Sequence, residues 1–246
     1  MSLEVKIVNW LKKHVEKCHS KGLVIGLSGG VDSSVVAALA KKAFPDNVLG
    51  VIMPCFSGEM DKEYALLVAK KFNIPVKIVP LSTVFMDLFG RIEGRSYNEG
   101  ETSIAISNMK PRLRMICLYY FANKFNYLVA GTGNKSELTM GYFTKYGDGG
   151  VDIMPIAGLL KTQVWQLAKE IGVPQEIIKR TPTAGLWVGQ TDEGEMGITY
   201  KELDKTIEAI ESGQIKKADE KIIKMIKQRT KKHSHKVNLP PVFKNS

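Results

Sequence analysis

Several things are scarce in this chain, and each scarcity closes off a class of function. There are only three cysteines, Cys18, Cys55 and Cys117, far apart and without a C-x-x-C or zinc-ligand spacing. That excludes a disulfide framework and a structural zinc site, and the three read as buried thiols. No apolar run approaches the roughly 20 residues needed to span a bilayer. Met1 to Trp10 lacks the apolar core of a secretory signal, so the expectation is a cytoplasmic protein that makes no membrane contact. Aromatic residues are missing between Ile215 and Pro241, although that is where the positive charge collects. A basic segment without stacking platforms argues against nucleic acid as a partner. No Ser-His-Asp or Cys-His arrangement offers a protein nucleophile, and no Gly-Lys-Ser/Thr sequence closes a Walker A loop.

What is there describes a globular domain. Of the 246 residues, 44% are hydrophobic and 24% charged, which suffices for a large core. The net charge is +10, but Ile215–Ser246 holds ten Lys/Arg against Asp219 and Glu220, so most of the excess is C-terminal. Such a segment is a solvated helix face or a cationic tail over an anionic ligand.

Apolar periodicity outlines the fold. Val5, Val8, Leu11, Val15 and Cys18 follow helical spacing. Strand-like runs then alternate with helical ones: Leu23–Leu27 with Val31–Ala43, Val48–Met53 with Lys62–Phe72, and Val76–Val79 with Thr83–Phe89. A helix over Met109–Phe125 precedes a strand at Tyr127–Ala130. The spacing predicts an α/β fold with a doubly wound parallel sheet flanked by helices. Helices are further expected over Gln163–Ile171, Tyr200–Ile210 and Ile215–Thr230. Gly90–Asn108, Gly141–Pro155 and Thr181–Ile198 read as long connections, with Val237–Ser246 as a tail. No repeat or linker divides the chain, so a single domain over residues 1–246 is expected.

Ser28-Gly-Gly-Val-Asp-Ser33 stands where the first strand gives way to a helix. A glycine-rich turn opening a helix presents free backbone N–H groups and the positive end of the helix dipole, which suits phosphate. A carboxylate inside such a loop would repel phosphate, unless Asp32 holds a Mg²⁺ between them. Two glycines alone would read as an ordinary turn with a Ser/Asp cap. The loop resembles the pyrophosphate loop of the ATP pyrophosphatases, Ser-Gly-Gly-x-Asp-Ser, at every fixed position.

Later segments narrow the resemblance. Gly131-Thr-Gly-Asn-Lys-Ser-Glu137, Gly141-Tyr-Phe-Thr-Lys-Tyr-Gly-Asp-Gly-Gly-Val-Asp152, Pro155, Lys161, Thr181-Pro-Thr-Ala184, Thr191–Tyr200 and His235-Lys236 are similar to the ammonia-dependent NAD synthetases. The likeness runs from about Gly26 to the tail. It implies a Rossmann-like fold of the adenine nucleotide alpha hydrolase type and a ligase that amidates deamido-NAD with ammonia, the last step of NAD biosynthesis. ATP would be cleaved to AMP and pyrophosphate through an acyl-adenylate. It further implies ATP contacts from Gly26, Leu27, Ser28, Gly29, Gly30, Val31, Asp32, Ser33, Thr132, Lys161 and Thr183, and Mg²⁺ on Asp32 and Glu137. Asp32, Glu137 and Lys161 would be the catalytic set, and Arg112, Lys145, Asp152, His235 and Lys236 would bind deamido-NAD.

Some of these roles have chemical sense of their own. Two carboxylates converging on phosphates suit Mg²⁺. A lysine just ahead of a helix opposes the dipole, which favours a phosphate-facing Lys161. The stretch Pro54–Glu63 departs from the family pattern, so no adenine contacts are assigned. A glutaminase domain would have to precede Ser28, and the chain has no room for one; ammonia is the expected nitrogen donor. The family also implies a homodimer, with the opening helix and Met109–Phe125 as candidate surfaces. Two alternatives from other classes are a tRNA-thiolating ATP pyrophosphatase and a nucleotide-binding module without catalysis.

Overall fold

The computed structural model describes residues 1–187, 189–214 and 219–243. Four strands, β1 (Gly22–Gly26), β2 (Val48–Ile52), β3 (Val76–Ile78) and β4 (Tyr127–Val129), form one parallel sheet in the order β3-β2-β1-β4. Leu23 pairs with Val48 on one side and Leu128 on the other, which makes β1 the centre of the sheet. Its side chains alternate between two cores. Leu23 and Ile25 join a cluster with α1 (Leu3–Lys17), α2 (Val31–Ala43) and α8 (Lys161–Ile171). Val24 points the other way, toward Phe85 and Phe89 of α4 (Ser82–Glu93) and Leu113 of α6 (Met109–Phe125). Burial on both faces explains why β1 and β2 read as continuous apolar runs.

The first connections run β1-α2-β2, then β2 through α3 (Glu59–Lys71) to β3. The chain then returns across the sheet to β4, on the far side of β1. The order reverses between β1 and β4, and ligands of open α/β sheets bind at such a switch point, outside the strand carboxyl ends. The Ser28–Ser33 and Gly131–Asn134 loops meet there. A third apolar cluster, Met140, Met196, Tyr200, Leu203, Ile207 and Ile226, fastens α7 (Lys135–Met140), α11 (Tyr200–Glu211) and α12 (Glu220–Val237) beside α8.

The structure amends several expectations. The Gly90–Asn108 connection is shorter, because α4 runs on to Glu93 and a one-turn helix α5 (Ile104–Ser107) follows, capped by Ser103. Thr181–Ile198 contains α10 (Asp192–Met196), and α9 (Gln175–Ile178) lies just before that stretch. Helix α12 continues beyond Thr230 to Val237 and takes His235-Lys236 with it; its expected start at 215–218 lies outside the described residues, as do Lys216, Lys217 and Lys244. Lys161 is the first residue of α8 rather than its predecessor. In α1 the buried row is Ile7, Leu11 and Val15, with Val5 on the solvent side. Only Cys55 is a buried thiol: Cys117 is half-buried and Cys18, beyond the last turn of α1, is exposed. Among the described residues, no helix is long and apolar enough to cross a membrane.

Candidate active site

The Ser28–Ser33 loop holds its shape through its own hydroxyls. The Ser33 Oγ donates to the Gly30 carbonyl at 3.0 Å and accepts from the Ser28 amide at 3.3 Å, with the Ser28 Oγ 3.0 Å away. Ser34 adds a second hydroxyl to the Gly30 carbonyl at 2.8 Å. Gly29 has φ +78°, and a Cβ there would stand 2.5 Å from the Asp61 carbonyl oxygen, so glycine is required for conformation and space together. Gly30 caps α2 without a side-chain hydrogen bond, leaving first-turn amides to face a ligand.

Asp32, in that first turn, is where distant segments converge. Lys161, whose side chain is only 2% exposed, forms an ion pair with Asp32 Oδ2 and lies 3.6 Å from Glu137 Oε1. The Asn134 Nδ2 donates to the other Asp32 oxygen at 3.0 Å. Asn134 and Glu137 also cap α7 reciprocally: the Asn134 side chain accepts from the Glu137 amide at 3.0 Å, and Glu137 Oε2 accepts from the Asn134 amide at 3.1 Å. This capping box aims the glutamate at the strand ends. Burial and the neighbouring Asp32 push the Glu137 carboxyl up to about 8, against the pull of Lys161. Two carboxylates therefore share one lysine in a poorly solvated corner.

Helices α7 and α8 are locked together by Asp204 of α11, which is 2% exposed. Its carboxylate accepts from Ser136 Oγ at 2.5 Å and from the Thr162 amide and hydroxyl, both at 2.8 Å; the Ser136 Oγ accepts in turn from the Lys161 amide at 3.0 Å. The negative charge faces the N-terminus of α8, offsetting the unfavourable start that Lys161 gives the helix.

The switch point opens into a cavity of about 760 Å³. Gly26, Leu27, Ser28, Gly30, Val31, Asp32, Ser33, Thr132, Glu137, Lys161 and Thr183 all line it; Gly29 supports the loop from behind. The five residues expected on the dinucleotide divide differently. Only Lys236 lines the cavity, and its ammonium donates to the carbonyls of Gly141 and Phe143, both at 2.8 Å. Lys145 donates to the His235 carbonyl at 2.6 Å, and the exposed Arg112 reaches the Lys145 carbonyl at 3.5 Å, so three of them cluster outside the cavity. Asp152 is tied to the fold, accepting from the Val129 amide at 2.8 Å and the Tyr119 hydroxyl at 3.0 Å.

Other lining residues were missed by sequence reasoning. Arg180 pairs with Asp61 and lies over the Tyr64 ring, 5.5 Å from its centroid. Arg114 bonds to the Met53 carbonyl at 3.2 Å and Ser57 Oγ at 3.3 Å. Asp148 accepts from the Thr144 amide at 2.9 Å, and Asp192 accepts from the Tyr200 hydroxyl at 2.9 Å. The Asn134-x-x-Glu137 spacing was a legible capping signal; the partners of Arg114 and Arg180 are too distant in sequence to suggest them.

The whole chain is similar to proteins of one kind. A family model described as NAD synthase matches residues 3–240. A Carboxydothermus hydrogenoformans protein named NH(3)-dependent NAD(+) synthetase is 48% identical over 237 residues, covering 96% of this chain and 95% of the relative. A solved structure from Francisella tularensis, described as NMN synthetase, superposes with a TM-score of 0.89 at 35% identity and covers 99% of this chain and 98% of its own. The NH3-dependent NAD synthetase of Campylobacter jejuni, solved with a nitrate ion, gives a TM-score of 0.82 at 30% identity over 98% and 97% of the two chains. With its sheet order, pyrophosphate-type loop and matched length, the chain belongs to the NAD synthase family.

Proposed function

We propose that this chain amidates deamido-NAD with ammonia, at the expense of ATP, which leaves as AMP and pyrophosphate. The observation that carries this reading is the meeting of Asp32, Glu137 and Lys161 beside an uncapped helix N-terminus at the switch point. Amides of the Ser28–Ser33 loop take the departing pyrophosphate, Lys161 offsets its charge, and Thr132 and Thr183 contact ATP from the facing loops. The nicotinate carboxylate attacks the α-phosphorus, and the bond to the bridging oxygen breaks with loss of pyrophosphate. Ammonia then attacks the acyl carbon of the adenylate, AMP leaves with the C–O electron pair, and the nitrogen sheds its extra proton to water. The residues position and stabilise charge; none becomes covalently modified.

The donor set suits a hard divalent cation. Asp32 and Glu137 offer only oxygen ligands, and Mg²⁺ commonly takes one or two carboxylates and completes its shell with water and substrate phosphates. The Glu137 carboxyl is raised first by burial and then by the Asp32 charge, against the pull of Lys161. When bound there, Mg²⁺ would supply the missing counter-charge for these carboxylates and the phosphate oxygens.

On the dinucleotide side, Arg112, Lys145 and His235, with Lys236 and Asp152, are assigned to deamido-NAD at the outer rim. The enzyme acts as a cytoplasmic homodimer and one synthetase domain over residues 1–246. Val84, Leu88 and Ile92 of α4 and Ile116 and Tyr120 of α6 support the dimer as an exposed apolar surface. Incubation with ATP, Mg²⁺, deamido-NAD and ammonium tests the reading: NAD and AMP are expected. Folded protein that yields neither overturns it, and ADP in place of AMP refutes adenylation. Replacing ammonium by glutamine tests the nitrogen donor. A mononucleotide acceptor, run in parallel, tests the substrate that the name of the Francisella neighbour suggests.

A further inference from the structure

Lys161 leans on a helix that contributes nothing to the cavity wall. No residue of α11 lines the cavity, yet Tyr200 and Asp204, one helical turn apart on that helix, both bear on this lysine. The Lys161 ammonium lies over the buried Tyr200 ring, 5.0 Å from its centroid. Asp204 acts at the backbone instead. Lys161 opens α8, and Leu160 before it has no polar side chain to cap the first amides. Asp204 Oδ2 takes that place from 42 residues away, accepting from the Thr162 amide and hydroxyl. Asp204 Oδ1 accepts the Ser136 proton, which leaves the Ser136 oxygen free to accept from the Lys161 amide. Ser136 adjoins Glu137, and Thr162 adjoins Lys161. One carboxylate thus ties together two peptide segments whose side chains approach to 3.6 Å at the site.

We propose that Asp204 is a positioning residue for adenylation, holding Lys161 and Glu137 in the relative pose that the step requires. This rests on the function proposed above and adds a residue that touches no substrate. The choice of a carboxylate is informative. Asp204 is 2% exposed, and its donors are neutral groups, one amide and two hydroxyls. Burying an ionised aspartate among such partners is costly, and Asn or Ser would cap α8 alone nearly as well. Neither offers two oxygens at once. With Asn at 204, one arm becomes a donor, so Ser136 loses the acceptor that fixes its proton. The Ser136 oxygen is then no longer held toward the Lys161 amide. The influence of Asp204 on the site therefore passes through geometry, and a misplacement of about 1 Å can slow a reaction about a hundredfold.

The test compares Asp204→Asn, Ser136→Ala and the double variant. Ser136→Ala cuts the link to the Lys161 amide while leaving Asp204 and its Thr162 cap in place. Adenylation is read by pyrophosphate–ATP exchange with deamido-NAD and no ammonium, and the full reaction by NAD formation. In each single variant, kcat and the exchange rate should fall together by about tenfold to a hundredfold, with the KM for deamido-NAD within about twofold. The double variant should lose little more than the worse single one, because both changes act along one path. A residue serving only the fold would lower the urea midpoint and leave turnover of the folded protein unchanged. Normal kcat in folded Asp204→Asn and Ser136→Ala therefore overturns the proposal. So does a double variant whose loss is the product of the two single losses. Should Asp204→Asn fail to fold, the kcat of Ser136→Ala decides alone. Wild-type protein that neither exchanges pyrophosphate nor forms NAD would instead refute the underlying function.

Discussion

The nucleotide end of the cavity and its outer rim are built in opposite ways. At the nucleotide end, Asp32, Glu137 and Lys161 come from α2, α7 and α8, sit in a poorly solvated corner, and have partners within the chain. At the rim, Arg112 and His235 are exposed, and Lys145 and Lys236 spend their ammonium groups on backbone carbonyls. The first arrangement is pre-organised and needs little rearrangement to meet a charged transition state. The second is held in place by contacts that a ligand or a second copy would have to replace. Catalytic power is therefore expected to reside in one region and substrate capture in the other.

Five substitutions test that division, in order of expected effect. Lys161→Ala or Asp32→Asn should lower kcat by about a thousandfold or more, with circular dichroism unchanged; near-normal turnover would break the comparison outright. Gly29→Ala forces a side chain against the Asp61 carbonyl at positive φ. It should cost at least about 1 kcal/mol in urea denaturation and weaken ATP before it weakens the dinucleotide. Arg112→Ala and Lys145→Ala should raise the KM for deamido-NAD about tenfold with little change for ATP; an equal loss in both would erase the distinction between the two ends.

The smallest effect concerns Asp152, which separates ligand duty from fold duty. Burial first, and then the Asp152 charge and hydrogen bond, push the Tyr119 hydroxyl up to about 12. The folded value lies above the unfolded one near 10, so Tyr119 contributes stability below pH 10 that is lost as pH rises through about 12. In Asp152→Asn the tyrosinate absorbance should develop at lower pH. If it does not move while the dinucleotide KM rises, Asp152 serves the ligand more than the fold.

Much of the nucleotide end was legible from sequence because its signals are local. Ser28–Ser33 is a six-residue loop at a strand-helix junction, and Asn134 and Glu137 are three residues apart, a spacing that capping itself dictates. The parallel sheet was equally legible, since β1 and β2 are apolar throughout. Less local features escaped. Asp204 acts on Ser136 and Thr162 from 68 and 42 residues away, and Arg180 meets Asp61 across 119. Helices α5, α9 and α10 are too short to show a 3.6-residue period. Cys18 was misjudged because the apolar row of α1 ends at Val15, one turn earlier.

The junction of Gly141 with α12 has a consequence for how the molecule opens. Gly141 adopts φ +63°, and a Cβ there would stand 2.4 Å from the His233 side chain. The helix is moored above it by Thr230 to the Thr139 carbonyl and by Lys236 to the carbonyls of Gly141 and Phe143. Because the anchors are peptide oxygens, the attachment does not depend on which side chains the loop carries. Helix α12 and residues 139–145 should therefore behave as one cooperative unit in native-state hydrogen exchange, opening together while the β1–β2 pair stays protected.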